Sequence, residues 1–215
     1  MERINYAHPL EALQTIPQKV SASAISHNNQ VFDKVLKTPN FVKESTPKGT
    51  DIGTAFHCFM EHCDIKNARD SVTLEAQRLV DKGFLTEQQQ NLLDVAKITE
   101  FLNTPLVDRI INAKEFYREY QFTVNINLSE YDENIDNSLK EQKIVMQGAV
   151  DLAFAEEDGL VIVDYKTDRV KDVSVLSELY SKQLLLYKNA MEQCTGLKVK
   201  EMYIYSVNLN KLLKI

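Results

Sequence analysis

Tryptophan is absent from this chain of 215 residues, and cysteine, proline and glycine are scarce at three, five and six. So little glycine and proline, with no repeat, excludes collagen-like and low-complexity sequence. The cysteines, Cys58, Cys63 and Cys194, are an odd set, and the N-terminal MERINYAHPL lacks the basic-then-apolar pattern of an export signal. A disulfide framework is therefore not expected. A four-thiolate zinc or iron-sulfur site is short of one ligand, and the thiols are expected to be free and buried. No stretch reaches the roughly 18 uncharged apolar residues of a membrane span, so the expectation is a cytoplasmic protein without membrane contact. A Gly-x-x-x-x-Gly-Lys-Ser/Thr phosphate loop is also missing, and with it any sign of an ATPase motor.

Positive charge is the other shortage. The formal net charge is −6, at first sight wrong for a binder of phosphate backbones, whose affinity comes largely from Lys and Arg. Much of it is local: Ser129 to Gln142 (SEYDENIDNSLKEQ) holds five acids and one lysine, so the remainder is close to neutral. This stretch reads as a mobile loop.

What is present fits a folded domain, with 44% hydrophobic and 26% charged residues. Residues 1–48 are polar and mixed and end at Thr46-Pro47-Lys48-Gly49-Thr50, a loop signal, so they read as a lead-in segment or arm, with the domain proper at 49–215. From Thr50, apolar residues Ala55, Phe56, Phe59, Met60 and Cys63 recur at helical spacing. Further helices are predicted over 71–82, over 86–103 with Thr86 and Gln89 forming a capping box, and over 105–112. Residues 115–127 (EFYREYQFTVNIN) then read as a strand, 143–155 and 160–168 as a hairpin around Glu156-Glu157-Asp158-Gly159, 175–194 as a helix and 199–207 as a closing strand.

The hairpin carries the chemistry. Strand residues two apart share a face, so Asp164 and Lys166 project together and Tyr165 points away. The midpoint of Asp151 and Asp164 falls between Glu157 and Asp158. A loop of two or four residues centred there sets Asp151 beside Asp164, a two-residue loop at Asp158-Gly159 sets it beside Lys166, and an odd-length loop turns it away. Two carboxylates and a lysine among apolar strands need a compensating partner, and oxygen ligands of this kind suit Mg²⁺ or Mn²⁺. Lys166 could then orient or deprotonate a water and neutralise charge developing on a phosphate. Downstream, Tyr180, Gln183 and Tyr187 fall on one helical stripe, where an amide and two phenols could contact a phosphate backbone or hold Lys166. The bland readings are a surface salt bridge on an ordinary hairpin and an amphipathic core helix. Asp168, Arg169 and Lys171 form a charged strand exit, with Arg169 and Lys171 as candidate phosphate contacts.

Taken together, Gly148-Ala149-Val150-Asp151-Leu152, Ile162-Val163-Asp164-Tyr165-Lys166-Thr167-Asp168, the Gln183-to-Tyr187 helix and the upstream Gly53-Thr54-Ala55-Phe56-His57 resemble the RecB-type branch of the PD-(D/E)XK nuclease superfamily. Within it the likeness is strongest to the C-terminal nuclease domain of the AddA family of helicase-nuclease subunits. It covers about residue 50 to the C-terminus. The resemblance implies an α/β restriction-endonuclease-like mixed sheet flanked by helices, with an added helical layer. It implies a metal, Mg²⁺ or Mn²⁺, held by His57, Asp151, Asp164 and the main-chain carbonyl of Tyr165, with Lys166 as catalytic lysine and Glu119 as a further acidic residue of lower weight. It also implies cleavage of DNA, expected to be single-stranded, delivered by a helicase in the same parent chain or a partner subunit during break repair. On this reading the chain is a nuclease domain by itself, natural or cut from a larger protein. A stand-alone RecB-like exonuclease and a degenerate fold acting as a docking module are the alternatives. The first commonly carries an iron-sulfur cluster, which is not expected here.

His57 has a plainer reading as a helical histidine paired with Glu61 at i+4. It stands about 140° round the helix from His62, so the two should not share an ion. His62, His8 and His27 are given no role.

Overall fold

The computed structural model describes residues 19–22, 49–132 and 134–215. A helical layer comes first: α1 (Gly49–His62), α2 (Ile65–Asp70), α3 (Val72–Asp81), α4 (Glu87–Gln90), α5 (Val95–Leu102) and α6 (Pro105–Asn112). Asp64 starts α2 by accepting from the N–H groups of Lys66 and Asn67, and Ser71 starts α3 by accepting from Leu74 N–H. The single helix expected over 86–103 is two. Thr86 and Gln89 do form the capping box of α4, but the chain turns after it because Asp94 takes Lys97 N–H at 3.2 Å and begins α5. A short polar side chain competing for backbone donors thus outweighs the continuous helical pattern.

Strands β2 (Glu115–Asn127), β3 (Lys143–Glu156) and β4 (Gly159–Lys166) follow; then come α8 (Ser174–Thr195), β5 (Val199–Ser206) and β6 (Lys211–Lys214). The lead-in contributes β1 (Lys19–Ser21), which pairs parallel with Val145–Gln147 and buries Val20 and Ala22; the rest of 1–48, with His8 and His27, lies outside the described residues. Among those residues the sheet has six strands in the order β1-β3-β4-β5-β6, with β2 antiparallel to β3 and β4 parallel to β5. β6 had no sequence signal, because Lys-Leu-Leu-Lys lacks the β-branched and aromatic residues that mark strands.

One core lies between the sheet and α8, around Ile162, Ile204, Leu176 and Leu184. The other lies between the sheet and the helical layer, around Phe56, Phe59, Phe101, Phe154 and Tyr205. The expected α/β mixed sheet with helices on both faces and a helical layer ahead of it is thus the observed fold. The acid-rich stretch read as a loop holds α7 (Leu128–Tyr131) and a 3₁₀ turn (Asn137–Leu139). Leu128, just ahead of it, and Leu139 within it are buried in the α8-side core and anchor it. Of the three thiols expected to be buried only Cys63 is. Cys58 is half-buried, and Cys194, past the last buried residue of α8, is exposed.

Candidate active site

The β3–β4 hairpin turns at Glu157-Asp158, since Glu156 pairs with Gly159 and Leu152 with Val163. The turn is one residue earlier than an Asp-Gly turn. Gly159 (φ +148°) is instead a strand residue whose missing side chain makes room for the carbonyl of Lys198, 2.5 Å from where a Cβ would sit. Continued by one step, this register sets Asp151 opposite Asp164, the arrangement expected of a two-residue loop. The ladder stops at Leu152 and Val163, so the two aspartates are the first residues in a fork between the strands. There the Asp151 carboxylate takes Tyr165 N–H at 2.7 Å. Backbone N–H and C=O of one strand residue point to the same neighbour, so the Tyr165 carbonyl faces the fork as well. Its ring points the other way, into the cluster of Phe56 (5.4 Å between centroids) and Phe101 (5.7 Å).

A second irregularity completes the site. The β2–β3 register runs Arg118↔Leu152 and Tyr120↔Val150, which sets Glu119 opposite Asp151. Both strands change phase at this step. Phe122, Val124 and Ile126, with Ile144, Met146 and Val150, face α8, whereas Leu152 and Phe154 face the helical layer. Glu119 absorbs the kink with φ 45°, a backbone region that costs a residue with a Cβ on the order of 1–3 kcal/mol and clusters at functional sites. Arg118, beside it, ties β2 to the end of α1 by donating from Nη1 to the carbonyls of Glu61 (3.0 Å) and Cys63 (2.5 Å).

His57 projects from α1 into this corner, with Nδ1 3.3 Å from Glu119 Oε1 and 3.5 Å from Asp151 Oδ1. Its partner is therefore Glu119 across the fold, and Glu61 lies instead 3.6 Å from His62 Nδ1. His62 turns away, against Cys58 O (3.1 Å) and the Phe84 ring. Gly53 lets α1 approach β4: a Cβ there would stand 2.8 Å from Thr167 Oγ1. A cavity of about 480 Å³ opens on the corner, bordered by Thr54, His57, Glu61, Glu119 and Thr167.

Burial pushes the carboxyl groups of Asp151 and Asp164 above the ordinary range, and for Asp151 the Asp164 charge adds to it. Burial works against protonation of His57, but its bond to Glu119 and the nearby carboxylates outweigh that and raise its pKa. Asp164 Oδ2 has no hydrogen-bond donor among the described residues. Lys166 Nζ reaches it at 2.7 Å as an ion pair.

Lys166 donates to Gln183 Oε1 at 3.0 Å, and Gln183 Nε2 donates to Tyr187 OH at 2.8 Å. The ammonium lies 4.2 Å from the Tyr180 ring centre, and Tyr180 OH donates to Asp168 at 3.0 Å. The stripe on α8 thus meets Lys166.

One imidazole and two carboxylates, from His57, Glu119 and Asp151, offer ligand atoms within 4.8 Å of one another. The donor set fits a divalent cation. Asp164 borders the trio and turns its Oδ2 toward Lys166. Glu119 is more central than its sequence context suggests, because its place depends on a kink that strand periodicity does not forecast. Arg118 has no sequence signal beyond its adjacency to Glu119.

A fork of paired carboxylates with a lysine beside it, in a mixed sheet, accords with the family comparison, in which the PD-(D/E)XK nuclease superfamily matches residues 31–212. The chain belongs to the PD-(D/E)XK nuclease superfamily. An ATP-dependent helicase/nuclease subunit of Clostridium botulinum, of the AddA type, is 31% identical to it over 228 residues, covering 100% of this chain and 18% of that protein. Its counterpart from Acetivibrio thermocellus is 34% identical over 219 residues, covering 94% of this chain and 17% of that protein. The chain spans less than a fifth of the length of these relatives. This PD-(D/E)XK domain is a nuclease domain homologous to the AddA family of helicase/nuclease subunits. Among its described residues no helix is long and apolar enough to cross a membrane.

Proposed function

We propose that the domain hydrolyses phosphodiester bonds of single-stranded DNA, delivered by a helicase during double-strand-break repair in the cytoplasm, with Mg²⁺ or Mn²⁺ as cofactor. The observation that carries this reading is the fork itself. Glu119, half-buried, and Asp151 stand opposed and Asp164 faces Asp151, a concentration of negative charge that His57 and Lys166 offset only in part and that a divalent cation would compensate.

His57, Glu119, Asp151, Asp164 and the Tyr165 carbonyl are the groups that would hold the ion. When bound, it supplies charge compensation for the carboxylates and Lewis-acid polarisation of a phosphate oxygen. The chain's own residues do the rest. The Asp151 carboxylate, fixed by Tyr165 N–H, and the Glu119 carboxylate, fixed by His57, keep the ligand atoms from relaxing apart. Lys166, fixed by Gln183 and Asp164, orients the attacking water and offsets the charge that builds on the phosphate. Gln183 is in turn held by Tyr187, so α8 sets the position of the ammonium. Delivery by a helicase, in the same parent chain or a partner subunit, rests on the names of the longer relatives. A tethered substrate needs little intrinsic affinity, which agrees with the modest positive charge of the domain.

Labelled single-stranded DNA incubated with Mg²⁺ tests this reading. The wild-type chain should degrade it, and Asp164→Ala and Lys166→Ala should each slow the reaction by about 10²-fold or more. Degradation insensitive to both substitutions overturns it.

A further inference from the structure

A second cavity, of about 670 Å³, lies on the far side of Arg118 from the catalytic cavity. Its walls come from the end of α1, from α2 and the end of α3, from the start of β2, and from the apolar Ile110 and Ile111 of α6. The two cavities share a wall. Glu61 and Glu119 border the first and their chain neighbours His62 and Arg118 border the second, with Arg118 bonded across to Glu61 O.

The charge of this second cavity is opposite to that of the domain as a whole. Lys66, Arg78, Lys82 and Arg118 line it, against the single carboxylate of Asp64. Asp64 is engaged by the N–H groups of Lys66 and Asn67. Arg78 is paired with Glu75, which is buried behind the wall. Lys66 and Lys82 are exposed and have no carboxylate partner among the described residues.

Two aromatic faces flank the charge. Phe116, 49% exposed on β2, lies under the Arg118 guanidinium at 4.8 Å. Phe84, 47% exposed, lies outside the lining but packs, tilted by 35°, on the ring of the lining residue His62 with 4.4 Å between ring centres. Exposed aromatics beside unpaired cations are what unstacked bases on a phosphate backbone require.

We propose that this groove is a binding track for single-stranded DNA, holding the strand beside the cleft in which it is cut. Lys66 and Lys82 contact phosphates, and Phe116 and the His62–Phe84 pair stack bases. The proposal rests on the nuclease reading for what passes through the cleft, but the groove's affinity is measurable without catalysis.

The test is fluorescence anisotropy of a labelled oligothymidylate with the full chain in EDTA, across a salt series. Lys66→Glu with Lys82→Glu should weaken binding about tenfold or more. Two lost phosphate contacts should make the slope of log K against log salt shallower by roughly 1.4. Phe116→Ala should weaken binding roughly fivefold or more with the slope unchanged. Hydrolysis of thymidine 5′-p-nitrophenyl phosphate with Mn²⁺, too small to occupy the groove, should be the same in all three proteins, which also shows that the variants fold. Oligothymidylate affinity unmoved by the lysine and phenylalanine changes overturns the proposal, as does an oligoglutamate that competes fully with the oligonucleotide. Binding that follows the predicted pattern in a chain that hydrolyses nothing would sustain the groove and sink the nuclease reading.

Discussion

Glu119 stands opposite Asp151 at the one step where β2 and β3 both change phase, and His57 Nδ1 lies 3.3 Å from the first carboxylate and 3.5 Å from the second. Like charges directly opposed on a sheet destabilise it. His57 and Lys166 offset part of this repulsion; without a metal ion the rest works against folding. Asp151→Asn should raise the melting temperature in metal-free buffer, by roughly 2–4 °C for each kcal/mol of repulsion relieved. Mn²⁺ should raise the melting temperature of the wild type by mass action and leave that of the variant nearly unchanged. A variant that melts lower without metal and responds to Mn²⁺ like the wild type would contradict this.

Lys166 takes its position from α8 through Gln183. Gln183→Ala leaves the ammonium with Asp164 and the Tyr180 ring, and a lost hydrogen bond to a charged group costs about 1.5 kcal/mol, or about tenfold in rate. The expected phenotype is a tenfold fall in turnover with Mn²⁺ affinity by calorimetry unchanged. Lys166→Ala should cost about 10²–10⁴-fold. Equal losses of metal affinity and rate in Gln183→Ala would mean that the amide serves the ligands and not the lysine.

Much of this is legible in the chain. The hairpin arithmetic relates Asp151 to Asp164 because antiparallel register is set by the turn, and the Asp164-Tyr165-Lys166 alternation follows from the strand period. Gln183 and Tyr180 meet Lys166, and Tyr187 holds Gln183, because helical spacing puts the three on one stripe. Glu119 and the partner of His57 are not readable, since both depend on a phase change that two strands make together and that has no local sequence cause. The break between α4 and α5 is hidden for a simpler reason. Asp94 reads as one polar residue in a helical pattern, whereas its side chain starts a new helix.

Gly148 holds open the close packing of β3 against β2. A Cβ there would lie 2.6 Å from Phe122 Cζ and 3.2 Å from Ala22 Cβ. Gly148→Val should destabilise the domain by about 1–3 kcal/mol through overpacking, seen as a lower urea midpoint with the slope unchanged. No change in the midpoint would mean that β2 is not held where described.

Acid should weaken the far end of the sheet. Hydrogen bonds from Arg109 and Lys200 hold the Glu156 carboxyl down at about 2, and bonds from Lys214 and Arg109 do the same for Glu201, against an ordinary 4.5. Because the folded values are the lower ones, this stabilisation is complete above about pH 5 and is lost as pH falls toward 2. Allowing for partial exposure, the loss is on the order of 1–2 kcal/mol. Arg109→Met should flatten the dependence of stability on pH in that window. An unaltered dependence would assign the acid loss elsewhere.

The thiols should react in order of burial. Cys194, exposed near the end of α8, should be modified by a disulfide reagent in the native protein. Cys63, whose thiol burial pushes up to about 12, should react only after unfolding. Native-state modification of Cys63, mapped by mass spectrometry, would mean that α1 opens readily.

The central claim is that His57, Glu119, Asp151 and Asp164 converge on one divalent cation in the fork between β3 and β4. Anomalous diffraction from a crystal soaked in Mn²⁺ tests it most directly. A peak bounded by the His57 imidazole and the Asp151 carboxylate, with Glu119 or Asp164 completing the donors, is the predicted result. A fully soaked crystal with no peak there, or with Asp151 on the opposite side of the sheet from Asp164, would contradict it.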